Sequence, residues 1–438
     1  MPAAADARAG EPLPGPDGGA LGALPGPDGG ALGALLTPEG RALVERLTPW
    51  DERSALATLA AVRRDAAWAT RPEVVAAAAT QARLRTRASA RFPGAPRWWT
   101  VDGLEQATRP EVAARHAARF LAAGVTQVAD LGCGAGSDAL ALAAAGLDVL
   151  AVDVAAEALW ALGATAGDLG VPLRTSRADV RDARHWWNGP ASPATASRGA
   201  FVDPARRRAG ARVLAPEGWS PPWSWVCGLA GRVPATGAKV APGIAHDALP
   251  AAVQAEWTSV GGDLVEAAVW WGPLRRGTAR RVATVLPSAP GSGHEQQVDQ
   301  LDDGDGIPTP EVGPVGAWLV EPDPAVIRAG LVSVLAARLA GRLLDPHIAY
   351  VTTDAAPAVT PFGARFAVLE EVPFARKAMR AWLRARGYGD VVVKKRGVAV
   401  VPEQLRADLR LDGRGPTATL LLTRTGAGPL ALLVAPQP

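Results

Sequence analysis

The sequence predicts an α/β protein built on a mostly parallel sheet, because a strand, a glycine-rich loop, a helix and a second strand follow one another within residues 128–153. The helix is the Ala- and Leu-rich segment Ser137–Ala145. Strands and helices go on alternating after this unit and end in a hairpin, Glu256–Val260 and Leu264–Trp270, joined by two glycines. This order is typical of sheets in which helices connect parallel strands. The first two strands are the apolar runs Val128–Leu131 and Val149–Val152.

The glycine-rich loop is suited to a nucleoside ligand. Gly132, Gly134 and Gly136 allow a sharp turn and a close approach of a ligand, and the free N–H groups at the following helix start favour electronegative atoms. Asp153 ends the second strand, where a carboxylate accepts hydrogen bonds from both ribose hydroxyls. It lies 153 − 130 = 23 residues after Asp130, close to the roughly 20 expected for that role.

The pattern of Asp130 followed by Gly132-x-Gly134-x-Gly136 resembles motif I of class I S-adenosylmethionine-dependent methyltransferases. The resemblance implies a Rossmann-like methyltransferase sheet of seven strands, six parallel and one antiparallel, with S-adenosyl-L-methionine as cofactor. It also implies that Asp130 and the loop hold the methionine part, Asp153 the ribose and Asp179 the adenine amino group. A nicotinamide or flavin domain, or a glycine turn that binds nothing, remains the alternative.

Composition limits the classes of protein to consider. With 438 residues, 48% hydrophobic and 20% charged, the chain can form two or three globular domains, and its net charge of +3 does not by itself indicate a nucleic-acid partner. Two cysteines, Cys133 and Cys227, exclude a disulfide framework and a cysteine zinc cluster. Since neither a secretion signal nor a membrane-spanning run is recognisable, we expect a cytoplasmic protein without membrane or metal partners.

Five regions follow from the composition and the periodicity. A tandem repeat, PGPDGGALGAL, at Pro14–Leu24 and Pro25–Leu35 favours a disordered Pro/Gly-rich tail over residues 1–36, with a docking arm as the alternative. A helical domain follows at 37–96, and its basic residues form either a solvated surface or a nucleic-acid contact. The predicted boundaries then give the methyltransferase domain at 97–290, an acidic linker at 291–314 and an α+β domain at 315–438.

The segment Val101–Arg109 precedes the first strand of the sheet. In class I methyltransferases such a segment often lies over the cofactor. Glu105, Gln106, Thr108 and Arg109 are therefore candidates for contacts with the methionine end or the substrate. A helix cap followed by a surface loop is the alternative.

The predicted fourth strand, Gly199–Val202, ends at Asp203-Pro204-Ala205-Arg206. This resembles the (Asp/Asn)-Pro-Pro-(Tyr/Phe) pattern of amino-group methyltransferases, and more closely the Asp-Pro-(Pro/Ala)-Arg pattern of 5-methyluridine RNA methyltransferases. The resemblance implies catalytic roles for Asp203, Pro204 and Arg206. The uridine enzymes also need a nucleophilic cysteine after a later strand, and neither cysteine of this chain matches, so a covalent carbon mechanism is disfavoured.

Substrate contacts are predicted near this strand end and in the last domain. Arg207 is a candidate for gripping a phosphate, and Trp223 for walling a base-sized pocket, with core packing as its alternative. Residues from Pro361 onward carry thirteen Lys/Arg and six Asp/Glu, so 13 − 6 = +7. The whole α+β domain at 315–438 resembles a THUMP-like domain, which implies RNA. Its exposed basic turn is Lys394-Lys395-Arg396.

We therefore expect an S-adenosylmethionine-dependent methyltransferase that modifies a nucleobase in RNA, either transfer or ribosomal RNA. Two other readings stay open. The enzyme could act on a protein or small molecule, which a closed pocket too small for a polynucleotide would favour. It could also be a non-catalytic RNA-binding protein with a vestigial cofactor site, which an absence of S-adenosylmethionine binding would favour.

Overall fold

The computed structural model describes residues 30–94, 97–182, 198–208, 211–288 and 298–437, without the side chains of residues 207, 208, 211 and 212. Two compact units divide the chain. One runs up to Val253 and includes Val269–Arg275, and the other comprises Gln254–Ala268 and the residues from Arg276 onward. Within the described ranges, no helix is both long and apolar enough to cross a membrane.

Helices open the described chain, as predicted. The Thr37 hydroxyl caps the second helix by accepting a hydrogen bond from the Gly40 N–H at 3.1 Å. The apolar faces of these helices share one buried cluster with Trp98 and Trp160 of the first unit. The helices are α1 (Ala31–Leu35), α2 (Pro38–Leu47), α3 (Ala55–Arg64) and α4 (Pro72–Ala88).

The predicted disordered tail needs a correction at its end. Residues 1–29 lie outside the described part, but residues 31–35, the last five of the second repeat, form α1. Leu35 is fully buried, and Gly40 of α2 lies so close that a Cβ there would come 2.7 Å from the Leu35 Cα. Burial against neighbouring helices therefore outweighs the Pro/Gly-rich composition of this segment.

The first unit then alternates helices and strands. Strand β1 pairs in parallel with β2 and β4, β2 with β3, and β4 with β7, which confirms the predicted parallel sheet. The elements are α5 (Val101–Gln106), α6 (Pro110–Ala122), β1 (Gln127–Leu131), α7 (Ser137–Ala144), β2 (Asp148–Asp153), α8 (Ala156–Leu169), β3 (Arg174–Arg177), β4 (Arg198–Val202), β5 (Arg207–Arg208), β6 (Ala211–Arg212), α9 (Trp223–Ala230) and β7 (Ala235–Val240).

The predicted hairpin is confirmed as β8 (Gln254–Val260) and β9 (Asp263–Trp270), with Gly261 and Gly262 at φ values of 59° and 83°. The count of seven strands is wrong, however. The order β3-β2-β1-β4-β7-β9-β8 continues into β10 (Arg281–Leu286), parallel to β8, and β11 (Asp299–Asp302), antiparallel to β10.

The last strand, β11, lies inside the segment predicted to be an acidic linker. One apolar side chain, Leu301, is buried there, and the Gln300 amide donates to Glu256 of β8 at 3.3 Å and Thr284 of β10 at 2.9 Å. The charged composition of the segment hides this pairing, because only one residue of four faces the core. Residues 291–297 of the predicted linker lie outside the described residues.

A second sheet of seven strands has the order β13-β14-β12-β15-β18-β17-β16 and confirms the predicted α+β character of this region. Two short helices follow the first strand of this sheet, and Gly330 separates them because it adopts φ 70° and ends the first one. The elements are β12 (Trp318–Pro322), α10 (Pro324–Ala329), α11 (Val332–Arg338), β13 (Arg342–Asp345), β14 (Ile348–Thr353), β15 (Gly363–Val372), α12 (Arg376–Ala385), β16 (Asp390–Lys395), α13 (Pro402–Leu409), β17 (Thr417–Thr425) and β18 (Gly428–Gln437).

Truncating the buried leucine of α1 tests whether this helix is part of the fold. We expect Leu35→Ala to lower the free energy of unfolding by about 2–5 kcal/mol, because it leaves a cavity in a packed cluster. Leu56→Ala, at a side chain that is 88% exposed in α3, should change it by less than about 0.5 kcal/mol. Denaturant unfolding measures both, and equal effects would show that α1 does not belong to the core.

Candidate active site

The glycine loop bends sharply between β1 and α7. Gly132, Gly134 and Gly136 have φ values of 83°, 53° and 75°, in the left-handed region that favours glycine. A Cβ on Gly132 would come 2.8 Å from the main-chain oxygen of Asp203, and one on Gly136 would collide with Leu162 of α8. The loop therefore requires glycine both for its conformation and for the space around it.

Asp153 is tied to this loop. One oxygen of its carboxylate accepts a hydrogen bond from the Gly134 N–H at 2.9 Å, and the other accepts one from the Ala155 N–H at 2.9 Å. The carboxylate consequently lies at the carboxyl end of β2 and is oriented by the loop backbone. This is the position predicted for a ligand of ribose hydroxyls.

A cavity of about 660 Å³ lies over the loop. It brings together the predicted residues Gly132, Gly134, Gly136, Asp153, Asp179 and Asp203. Among the lining residues that the structure describes, six are acidic and one is basic, so the cavity favours a cationic ligand. These charged residues are Asp102, Asp138, Asp153, Glu157, Asp179, Asp203 and Lys239.

Two of the predicted cofactor residues have different surroundings. Asp179 lines the cavity, and hydrogen bonds from Arg181, the shortest 2.6 Å, lower the pKa of its carboxyl group. Asp130 is only 1% exposed and does not belong to the cavity lining, and its Oδ2 has no hydrogen-bond partner. Burial, and then the charges of Asp138, Asp203 and Asp153, raise the pKa of Asp130 well above its usual value.

A chain of buried polar side chains leads to Asp203. The Lys239 ammonium in β7 donates to Asp203 Oδ2 at 2.9 Å, to Thr108 Oγ1 at 3.1 Å and to the Gln106 carbonyl at 3.0 Å. The Thr108 hydroxyl donates to Asp138 at 2.6 Å, and Asp138 also contacts His116 Nδ1 at 2.8 Å. The ammonium group of Lys239 thus joins three segments at the cavity, namely the end of β4, the segment before α6 and β7.

Asp138, at the start of α7, is charged within this network. Its burial alone would raise its pKa, but hydrogen bonds from His116 and Thr108 and the charge of Lys239 outweigh burial and lower it. Of the predicted contacts in Val101–Arg109, the cavity lining includes Gln106 and Thr108 but not Glu105 or Arg109.

The segment after β4 is held by backbone pairing. Ala205 and Ser220 exchange hydrogen bonds of 2.8 and 3.1 Å, and both line the cavity together with Asp203. Pro204 is buried and Arg206 is half-buried, and neither is part of the lining. The side chain of Arg207 lies outside the described residues.

Trp223 is 5% exposed and packs on Trp219 and Trp271, with ring centroids 6.2 and 5.7 Å away. Its indole N–H donates to the Ala248 carbonyl at 2.9 Å. It is not among the residues that line the cavity. This arrangement matches the core-packing alternative that the sequence left open.

Both cysteines are poor nucleophiles. Burial, and then the charges of Asp130 and Asp153, raise the pKa of Cys133 well above its usual value. Burial and the charge of Glu217 raise the pKa of Cys227. Because the thiolate is the reactive form, neither residue is activated for covalent attack at neutral pH.

The predicted basic turn lies at the end of β16. Lys394 and Arg396 both approach Glu321 of β12, at 2.6 and 3.6 Å, whereas Lys395 is exposed. Only Lys395 of the three therefore presents its charge to solvent without an ion pair to Glu321. Within the described ranges, no three His, Cys, Asp or Glu side chains form a group that could hold a metal ion.

Sequence reasoning missed the side chains that support Asp203, namely Lys239, Asp138 and His116. A signal existed for Lys239, because it is the single charged residue of the otherwise uncharged segment Ala235–Val240. Such a residue needs a buried partner. Asp138 and His116 carried no comparable signal, since both lie on helices where exposed polar residues are common.

Asp130 generates a prediction about stability and pH. Its folded-state pKa is raised, so its contribution to stability is fully present below the unfolded pKa and is lost as pH rises through the folded pKa. We expect Asp130→Asn to stabilise the ligand-free protein relative to wild type by an amount that grows from pH 5 to pH 8, by at most about 1.4 kcal/mol per pH unit. Thermal unfolding across that range measures it.

The matched control is Asp182→Asn, at an exposed carboxylate. The difference in stability between Asp182→Asn and wild type should stay constant over the same pH range. A constant difference for Asp130→Asn as well would contradict the raised pKa of Asp130.

Two family matches cover parts of the chain. Residues 363–436 match the family described as THUMP domain-like. Residues 28–88 match a family described as Domain of unknown function (DUF8688).

Relatives and a solved structure cover most of the chain. Two relatives from Mycobacterium tuberculosis, strains CDC 1551 and H37Rv, are named as S-adenosylmethionine-dependent methyltransferases; each is 34% identical over 347 residues, covering 78% of this chain and 89% of the relative. The solved structure of a methyltransferase from Porphyromonas gingivalis W83 is 20% identical, covers 88% of this chain and 98% of that chain, and has a TM-score of 0.63, which shows a shared fold. The chain therefore belongs to the S-adenosylmethionine-dependent methyltransferases, and S-adenosylmethionine is its cofactor.

Proposed function

We propose that this methyltransferase modifies a nucleobase amino group in RNA, with Asp203 as the hydrogen-bond acceptor for that group. The observation that carries the proposal is the position of Asp203. It lies in the cavity lining beside Gly132, with one carboxylate oxygen bound by Lys239. The substrate is transfer or ribosomal RNA.

The cavity residues fit the cofactor. The loop glycines leave room for a ligand against the backbone, and Asp153 can hold the ribose hydroxyls. The excess of carboxylates in the lining suits a ligand with a sulfonium and an ammonium group. Asp179, although paired with Arg181, has acceptor capacity left for the adenine amino group. When bound, S-adenosylmethionine supplies an electrophilic methyl group.

Asp203 is suited to accept a hydrogen bond and orient a nucleophile. Lys239 fixes Oδ2, so the second oxygen can receive an N–H from a target amine at the carboxyl end of β4. The residue thereby aligns the nitrogen lone pair, and alignment is the main requirement for methyl transfer.

A carbon target is disfavoured by the state of the cysteines. Methylation at carbon 5 of uridine in the related enzymes depends on a thiolate, and burial raises the pKa of both Cys133 and Cys227. Nitrogen on a base needs no covalent activation. We therefore assign an exocyclic amino nitrogen as the target.

Support for RNA comes from the C-terminal domain. Residues 363–436 match the THUMP domain-like family, and the residues from Pro361 onward carry an excess of 13 − 6 = +7 charges. A basic domain attracts phosphates regardless of sequence. Since Lys394 and Arg396 approach Glu321, we assign the phosphate contact in this turn to Lys395.

The central test uses Asp203→Ala. We expect transfer of radiolabelled methyl groups to total RNA, isolated from cells lacking the gene, to fall by about 10²–10⁴-fold, because alanine has no oxygen to accept a hydrogen bond from the target amine. S-adenosylmethionine affinity, measured by calorimetry, should change by less than about threefold, roughly 0.7 kcal/mol. Mass spectrometry of the digested RNA identifies the methylated nucleoside.

Asp247→Ala, at an exposed carboxylate outside the cavity lining, should leave transfer unchanged. Wild-type protein that binds the cofactor and methylates neither transfer nor ribosomal RNA would refute the RNA substrate. Full transfer by Asp203→Ala would instead refute the role of that side chain.

The RNA contact has its own prediction. Lys395→Gln should weaken binding to transfer RNA and lower the slope of log affinity against log salt by about one, because one phosphate contact is lost. Arg63→Gln, at an exposed residue of α3, is the matched control and should leave the slope as it is. Filter binding between 50 and 200 mM salt measures both, and identical slopes for the two variants would exclude Lys395 from the contact.

A further inference from the structure

One face of α4 lines the cavity. Ala77, Thr80, Gln81 and Leu84 are spaced by three, one and three residues, so they lie on the same side of the helix, and all four are part of the cavity lining. Leu32 of α1 lines it as well. The wall of the proposed cofactor site is therefore built in part by the helices that precede the methyltransferase sheet.

The rest of α4 is anchored in the helical core. Val75, Ala78 and Ala82 are fully buried and belong to the cluster that also contains Leu43 and Trp160. Trp160 is itself a residue of α8 that lines the cavity. Because packed interiors resist deformation, the face of α4 is a fixed wall rather than a mobile segment.

A second connection runs from α4 to the segment over the glycine loop. The Gln81 side chain is 3% exposed and forms two hydrogen bonds with the backbone of Trp99, donating to its carbonyl at 2.7 Å and accepting from its N–H at 3.1 Å. Arg85 donates to the Arg97 carbonyl at 3.2 Å. These bonds fix the chain just before α5.

Helix α5 in turn lies directly on the loop. A Cβ on Gly103 would come 2.9 Å from the Ala135 Cβ, so only glycine permits this approach. Leu84 of α4 shares a buried cluster with Leu104 of α5 and Ala135 of the loop. The helix α4 thus supports the covering segment and the loop at the same time.

Several arginines of the basic face of α4 also contact other parts of the protein. Arg83 pairs with Glu52 at 2.7 Å, and Arg85 lies 4.5 Å from the Trp98 ring centroid. Arg91, which follows the helix, donates to the carbonyls of Leu104 and Ala107. Because Arg83, Arg87 and Arg91 are exposed, and two of them already have partners within the protein, the contacts favour the solvated surface of the two roles that the sequence left open.

We propose that the N-terminal helices, within the region that matches only a domain of unknown function, are a cofactor-binding element, and that α4 is the wall against which S-adenosylmethionine is held. Thr80 is its exposed polar position within the lining. The inference rests on the proposed assignment of this cavity to the cofactor. It predicts that bulk added at Thr80 excludes the cofactor, whereas bulk added one turn earlier, outside the lining, does not.

The test compares Thr80→Trp with Ala76→Trp in the full chain. Both residues are exposed on α4, but Ala76 does not line the cavity. Calorimetric titration with S-adenosylmethionine should show at least about tenfold weaker binding for Thr80→Trp and a change of less than about threefold for Ala76→Trp. Thr80→Leu, which adds less volume, should fall between them. Melting temperatures of all three variants without ligand report on folding.

Asp153→Ala separates this inference from the assignment of the cavity. If wild type binds the cofactor and Asp153→Ala does not, the cavity is the cofactor site whatever α4 does. Normal affinity in Thr80→Trp would then overturn the role of α4 alone. Equal losses in Thr80→Trp and Ala76→Trp would overturn it too, since they would reflect a disturbed helix. Full affinity in Asp153→Ala would overturn the assignment of the cavity itself.

Discussion

A single buried ammonium group, that of Lys239, connects the segments on the side of the cavity that contains Asp203. Lys239 is 4% exposed and uses its three N–H donors on Asp203, Thr108 and the Gln106 carbonyl. A buried charge without partners would cost several kcal/mol, so the lysine requires all three segments to stay in place. The need of this ammonium group for partners therefore positions the end of β4, the segment before α6 and the middle of β7. It also orients the side chain of Asp203.

The same ammonium offsets part of an unfavourable concentration of carboxylates. Asp130 interacts repulsively with Asp138, Asp203 and Asp153, and Lys239 is the group that opposes this effect on its pKa. Burial and like charges are costly in the ligand-free protein, and a cation in the cavity would relieve them. The cluster of carboxylates that lowers stability at this cavity is thus also the arrangement that would favour a cationic ligand there.

The features that could be predicted from the sequence are those encoded by a few neighbouring residues. The glycine loop, Asp153 and the two-glycine hairpin each carry their chemistry within a few residues, and each was found where it was expected. Lys239 contacts Asp203, 36 residues away, and Gln106 and Thr108, more than 130 residues away, so the support of Asp203 did not follow from a local pattern. Leu301 is one apolar residue in an acidic segment, so β11 did not follow from a local pattern either. The features that were predicted are therefore local in sequence, whereas the features that were missed depend on contacts between distant parts of the chain.

The repeat near the amino terminus shows why composition alone is not sufficient. Both copies have the same eleven residues, so any argument from propensity must treat them alike. The second copy, however, is joined through Leu36 and Thr37 to α2, and this places Leu35 in a buried cluster and Leu32 at the cavity. Burial of Leu35 and partial burial of Leu32 then offset part of the entropy lost on ordering five residues. A short helix can therefore form at the end of a Pro/Gly-rich region, because the surrounding helices supply the surface against which it packs.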